Sequence, residues 1–385
     1  MCQTIQMRKL LYVIAFSLII IPSCDLRKSY NSSLFAIGVI LLGSMSISTW
    51  LRKFDLKITK TGLKIGWIWI FLLVSLLPAY MVGNITINIM LKKAIIFFLY
   101  FILLSTSDIG MLELFLSGVI VNIYISYRCF FEIGVSTLYY QGTMVNPNQM
   151  ALVLMGGALG AMYLITSFRG IFRILGLFTF IITMVLLFYT SSRTVMMTLM
   201  LLCLLYIIYY SKVKKNINLL VDSKISKPFF VISSVTILMA VFLVMYYRAN
   251  IYKFIFGKWG NGINRLLSGR TEIWKEIFLS ISLTGNYQSS INSNNDFLDW
   301  LVKYGIISFV IYIIFIVTIC FTSLKRFFNN KNNENIWILI VIFGYLCICM
   351  FENLHAIFGK SINIMFWSSI GFLMRKEIIS EMDFK

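Results

Sequence analysis

The chain has 385 residues, of which 59% are hydrophobic and only 13% charged, a balance that excludes a water-soluble domain of this size. Its formal charge of +19 suggests nucleic acid at first sight, because basic surfaces release counterions from phosphates. Most of the basic residues lie in short connectors between apolar blocks, however, so membrane topology accounts for them and no nucleic-acid partner is expected.

The apolar residues come in blocks of about 17 to 22, the length of helix that crosses a hydrocarbon core about 30 Å thick. In chain order the predicted spans are 10–23, 34–50, 65–82, 94–107, 111–131, 149–166, 171–189, 194–210, 229–247, 300–321, 336–351 and 362–374. The fold class is therefore all-α: one polytopic membrane domain, residues 1–385, with about twelve transmembrane helices in a range of 10–12. The fourth and twelfth spans are short, and 171–210 can be divided differently around Thr190-Ser191-Ser192-Arg193. The first run follows Arg8 and Lys9 and ends Ile21-Pro22-Ser23-Cys24, which imitates an export signal. Its small-residue cleavage pattern is poor and a second apolar span follows at once, so a retained first helix is expected.

Orientation follows from Lys and Arg on alternate connectors. With the N-terminus inside, the inner segments hold Arg8 and Lys9, Arg52 to Lys64, Arg169 and Arg173, Lys212 to Lys227, Lys325 to Lys331, and Arg375 to Lys385. That is about 20 of the 34 basic residues, so both termini are predicted to be cytoplasmic. The short outer loops are nearly neutral, and a large extracytoplasmic loop, 248–299, carries much of the remainder. No internal repeat is evident, which counts against a transporter built from duplicated halves.

Cys129, Cys203, Cys320, Cys347 and Cys349 fall in or beside apolar spans, and Cys347 and Cys349 form a Cys-x-Cys without histidine partners. Neither a disulfide framework nor a metal site is expected, and no cofactor. Gly156, Gly157 and Gly160 read as small residues for close helix packing. Glu113 and Lys303 are buried partners or interface charges without an assigned role.

Ionisable residues are costly near lipid, so those gathered at one face are functional candidates. Arg193 starts the eighth span and Arg248 ends the ninth; Lys258, Arg265 and Arg270 lie in the long loop; Glu352, His355 and Lys360 follow the eleventh. In Leu267-Ser268-Gly269-Arg270-Thr271-Glu272-Ile273-Trp274, Thr271 is a candidate helix cap, with Glu272 in the first turn. Arg270 would then sit beside a positive helix N-terminus suited to a phosphate or pyrophosphate.

Four stretches together resemble one known family: Ser268-Gly269-Arg270-x-x-x-Trp274; Asp296-Phe297-Leu298-x-x-Leu301-x-x-x-Gly305-Ile306-Ile307; Asn146-Pro147-Asn148-Gln149-Met150-Ala151; and Ser191-Ser192-Arg193-Thr194. Their order and shared outer placement are similar to those of the Wzy O-antigen polymerase and O-antigen ligase superfamily. The resemblance covers about residues 140–320 by pattern, and the whole chain by helix count and late outer loop.

It implies a GT-C-like membrane glycosyltransferase in the bacterial inner (plasma) membrane. Its reaction would be inverting, metal-independent transfer from undecaprenyl-diphosphate-linked oligosaccharide, with a polysaccharide chain-length regulator as an expected partner besides the lipid bilayer. The departing diphosphate gathers negative charge, which arginines can stabilise. Arg270 and Arg193 are assigned to it, with Arg265 and Arg248 as further candidates; the alternative is that these arginines snorkel to headgroups.

The attacking sugar hydroxyl needs a base or an aligning acceptor. In the ligases a histidine precedes Asn-x-x-Leu in the loop before this helix, whereas here the position is Asn294, a departure that disfavours ligation. Asp296 is the nearest carboxylate and is either that base or a cap for a helix beginning near Phe297, with Glu352 and His355 as alternatives. Asn146 and Asn148 either bind sugar or phosphate or form a turn and helix cap. The rival classes are an O-antigen ligase, a lipid-linked oligosaccharide flippase and a non-catalytic membrane scaffold. A flippase would line a central cavity with charges in two related halves.

Overall fold

The computed structural model describes residues 2–26, 31–53, 58–83, 85–96, 98–99, 104, 109–135, 140–210, 270–286, 294–352 and 361–375. In chain order these form α1 (Cys2–Cys24), α2 (Asn31–Lys53), α3 (Lys60–Val74), α4 (Leu77–Met81), α5 (Ile87–Ile96) and α6 (Met111–Tyr127), the last prolonged by a π-helical turn, Arg128–Ile133. There follow α7 (Pro147–Ser167), α8 (Ile171–Thr190), α9 (Arg193–Tyr209), α10 (Arg270–Leu279), α11 (Asp296–Asn329), α12 (Asn333–Cys349) and α13 (Ser361–Met374).

Among the described residues, six helical stretches are long and apolar enough to cross a membrane: Gln6–Cys24, Lys60–Met81, Met111–Ile133, Pro147–Ser167, Ile171–Thr190 and Asp296–Asn329. Four shorter apolar helices, Ser33–Thr49, Arg193–Tyr209, Asn333–Cys349 and Ile362–Met374, pack with them. The predicted span 229–247 lies outside the described residues, as does most of 94–107.

The outer surface explains why this bundle belongs in lipid. On α11, Val310, Ile314, Val317, Phe321, Leu324 and Phe328 are all exposed, at spacings of three and four. They form one apolar stripe about 27 Å long at 1.5 Å per residue, close to the thickness of a hydrocarbon core. Ile174, Phe178, Ile181 and Val185 make a similar stripe on α8. The chain is a multi-span membrane helical bundle.

By contrast α7 is buried on every side and forms the central post, 89% of its apolar window being covered. Small residues let its neighbours come close. A Cβ at Gly160 would lie 2.6 Å from the Phe115 carbonyl oxygen, and one at Gly157 would meet the Asn122 side chain, so α6 and α7 pack backbone to backbone. This is the packing expected of those glycines. Asn122 donates from Nδ2 to Thr183 Oγ1, a polar contact between α6 and α8 in the membrane interior.

Polar contacts sort the helix ends into two sets. At one end Arg8 of α1 bonds Ser48 of α2, and Lys9 pairs with Glu113 at the start of α6. Thr59, which caps α3, bonds the Met374 carbonyl of α13, and Asn333 of α12 bonds Ser167 of α7. Arg375 there pairs with Glu334 at 2.9 Å and donates to the Ile109 carbonyl. At the other end Leu26 after α1 donates to the Thr143 carbonyl before α7, Tyr140 donates to the Tyr189 carbonyl of α8, and Asn148 of α7 reaches Glu352 after α12. Each of these contacts joins ends that strict alternation puts on the same side.

Candidate functional site

The second end of the bundle gathers several residues singled out in the sequence. Asn146 caps α7 by accepting from Asn148 N at 2.8 Å, and Pro147 occupies the first helical position, where its missing N–H costs nothing. That is the turn-and-cap reading of Asn146. It aims the Asn148 side chain across the bundle, where Nδ2 donates to Glu352 Oε1 at 3.0 Å.

Glu352 stands just beyond α12, in a tight turn whose Phe351 and Glu352 N–H groups both bond the Ile348 carbonyl. The same Oε1 pairs with Arg270 Nη2 at 3.4 Å. The side chains of Arg270 and Glu352 are only 13% and 10% exposed, so the pair is weakly screened and holds its direction better than a surface ion pair would. Three segments up to 204 residues apart thus meet at one carboxylate oxygen. Glu352 engages Arg270 through Nη2, and a guanidinium held in this way presents the planar fork that suits phosphate.

Two expectations about the motif's local structure are corrected. Arg270 and Thr271 both lie within α10, so Thr271 is a helical residue and not the cap. Arg270 is itself a helical residue, and Glu352 offsets its charge. Likewise the cap of α11 is not Asp296 but Asn295, whose side chain accepts from Leu298 N at 3.1 Å while its Nδ2 donates to the Met350 carbonyl at 3.0 Å.

With capping done by its neighbour, Asp296 turns into the bundle. It is 5% exposed; Tyr312 donates to its Oδ2 at 3.4 Å, and the Cys349 thiol of α12 lies 4.0 Å from the same oxygen. Asp299, one turn on, is paired with Lys303 at 2.8 Å, which gives Lys303 its role. Glu113 is placed as well: it accepts from Gly110 N at 2.9 Å, satisfying the N–H of the residue that precedes α6 at the opposite end.

The predicted span 300–321 is longer and broken. Gly305 inside α11 has φ 82° and ψ 174°, which separates a short helix, 296–304, from the lipid-facing part. Backbone groups freed by the break are taken up by the preceding loop: Ile306 N donates to the Ser282 carbonyl at 3.1 Å and Asn286 N to the Val302 carbonyl at 2.6 Å. The closest approach requires glycine on both sides, since a Cβ at Gly305 would lie 2.1 Å from the Leu283 carbonyl oxygen.

Arg193 opens α9 after Ser191, whose φ of 55° reverses the chain, and is half-buried at the same end of the bundle. Arg248, Arg265 and His355 lie outside the described residues.

Two buried charged groups escaped sequence reading. Arg128, in the π-helical turn, pairs with Asp25 at 3.0 Å and with Glu132, and Tyr124 donates to the same Asp25 oxygen at 3.3 Å. The i, i+4 spacing of Arg128 and Glu132 was a visible signal; the pairing with Asp25, 103 residues away, was not. Lys93 of α5 is 5% exposed, with Nζ 4.0 Å from the centroid of the Trp300 ring and 4.8 Å from that of Tyr304. Its only trace in the sequence is a pair of lysines, Lys92 and Lys93, within an otherwise apolar stretch.

No family model matches the chain, and no curated protein matches it with significance.

Proposed function

We propose that this chain polymerises undecaprenyl-diphosphate-linked oligosaccharide repeat units at the outer face of the bacterial plasma membrane, with Arg270 stabilising the leaving diphosphate. The observation that carries the reading is the meeting of Arg270, Glu352 and Asn148, three residues picked out for this chemistry from separate stretches, at one end of a membrane bundle. In this reading the end bearing Asn148 faces outward and both termini are cytoplasmic. Twelve spans in a GT-C-like arrangement fit the placement of Tyr209, bonded to the Lys331 carbonyl at one end, and Arg270 at the other. An odd number of crossings between those two residues accommodates the predicted ninth span.

Chemically, the acceptor hydroxyl attacks the anomeric carbon as the bond to the diphosphate oxygen breaks, and negative charge collects on the leaving group. Arg270 and Arg193 act on that charge, which is where preorganised cations lower the barrier most. Glu352 fixes the direction of Arg270. Asp296 is the carboxylate assigned to the hydroxyl proton, and Asn294 in place of the ligase histidine is the reason polymerisation is preferred to ligation.

Replacing Arg270 with Ala, at protein levels matched to wild type, should reduce surface glycan to single repeat units. Arg270→Lys should restore little, because a point charge does not reproduce a planar fork. Long chains persisting in Arg270→Ala would overturn the assignment. The helix break in α11 beside buried charge favours a second reading, a lipid-linked oligosaccharide flippase, since broken helices form the binding sites of many transporters. Loss of a flippase would leave the surface without even single units, so the same strain separates the two readings.

A further inference from the structure

Asp296, Trp300 and Tyr304 are spaced by four and share one face of the short helix that precedes the Gly305 break. The Lys93 ammonium lies over that face, 4.0 Å from the centroid of the Trp300 ring and 4.8 Å from that of the Tyr304 ring. Lys303 is already engaged with Asp299 at 2.8 Å.

The rings under Lys93 are themselves fixed. Trp300 stacks on Tyr312 with centroids 4.3 Å apart, and its Nε1 donates to Ser308 Oγ at 3.1 Å. Tyr312 and Ser308 lie beyond the break, so the aromatic group joins both halves of α11, and Tyr312 in turn donates to Asp296. Cys349 and, behind it, Tyr345 complete the wall contributed by α12. An ammonium this deeply buried is tolerable only where other groups replace its water; here two ring faces lie against it, and one of them stacks on Tyr312, which donates to the Asp296 carboxylate.

We propose that Lys93 is a positioning residue for Asp296: held on the Trp300 and Tyr304 rings, its ammonium is the cation against which the carboxylate and the short helix 296–304 are set. The use of Asp296 in glycosyl transfer rests on the polymerase reading; the coupling between Lys93 and Asp296 does not.

The test is a double-mutant cycle in the full-length protein in detergent, with Lys93→Met, Lys93→Arg, Asp296→Asn and Lys93→Met/Asp296→Asn followed by thermal unfolding and by glycan polymerisation. Lys93→Met should lower Tm by about 5 °C, since it removes the cation from a buried group. Adding Asp296→Asn to it should cost less than the sum of the two single losses. Lys93→Met should also lower kcat about tenfold with KM for the lipid-linked donor little changed, as expected of a residue acting through the reacting groups' geometry. Lys93→Arg should recover both, since a guanidinium also stacks on aromatic rings.

Additive losses of Tm would overturn the coupling, and unchanged kcat in Lys93→Met would overturn the positioning role. If Lys93→Met alone does not accumulate, recovery of folded protein in the double variant supports the proposal and failure of the double variant and of Lys93→Arg overturns it. A wild-type protein with no polymerising activity would count against the polymerase reading only, because the thermal cycle is read without turnover.

Discussion

Glu352 is the residue on which the candidate site turns, since a single oxygen receives both Asn148 and Arg270. Removing it should matter more than removing either donor's other contacts. Glu352→Ala leaves the guanidinium without its fixed partner, and misplacement of a charge-stabilising group by about 1 Å is worth up to a hundredfold in rate. Under the proposed function, glycan polymerisation is expected to fall between about ten- and a hundredfold, with Asn148→Ala giving a smaller loss because one hydrogen bond is removed. Chain-length profiles of surface glycan on gels, at equal amounts of membrane-inserted protein, check both. Glu352→Gln is the informative companion: its amide oxygen can still accept from Asn148 and Arg270 but carries no charge to hold the guanidinium, so its loss should lie between wild type and Glu352→Ala. Wild-type profiles in Glu352→Gln would show that charge at this position is immaterial.

Among the elements, α11 departs furthest from its expected form. The run Asp296 to Ile307 was legible as a helix entering the membrane, but the break at Gly305 was not, because a lone glycine in an apolar helix usually signals packing. Here the conformation itself demands it, with a positive φ and no room for a Cβ. Gly305→Ala therefore combines backbone strain of about 1 to 3 kcal/mol with a clash against the Leu283 carbonyl. Gly83 has a similar φ of 78° but, among the described residues, nothing within 4 Å of its Cβ position, so Gly83→Ala is expected to carry the strain alone. Thermal unfolding in detergent should rank Gly305→Ala well below Gly83→Ala; equal melting temperatures would mean that the loop 282–286 does not brace the break. The caps followed the expected chemistry at Asn146, but at α11 the role passed from Asp296 to Asn295, a shift of one residue that hydropathy and spacing do not resolve.

At the scale of the molecule, the alternation of helix ends is tested by labelling. In a cysteine-less background, Val145→Cys, which is 70% exposed, should react with an impermeant maleimide on one side of the membrane. Arg169→Cys and Asn330→Cys, both at exposed positions, should react only from the other. Reaction of Val145→Cys and Arg169→Cys from the same side would contradict the crossing of α7, which connects them. Under the proposed orientation, the side accessible in intact cells is that of Val145.

The sequence by itself determined that the chain is a multi-span helical protein suited to lipid and where most of its described apolar helices lie. Those properties are sums over neighbouring residues: apolar length against bilayer thickness. It also pointed to Arg270, Asn148 and Glu352, since charge and amide at helix mouths are expensive and local. Only the tertiary structure decided that these three share one oxygen, that Asp296 faces inward, and that Lys93 and Arg128 are buried against partners on other helices. The reason is geometric. Which buried charges meet depends on the rotation of each helix about its axis and on which helices are neighbours, and contacts such as Asn148 with Glu352 join residues too far apart in the chain for any local pattern to record.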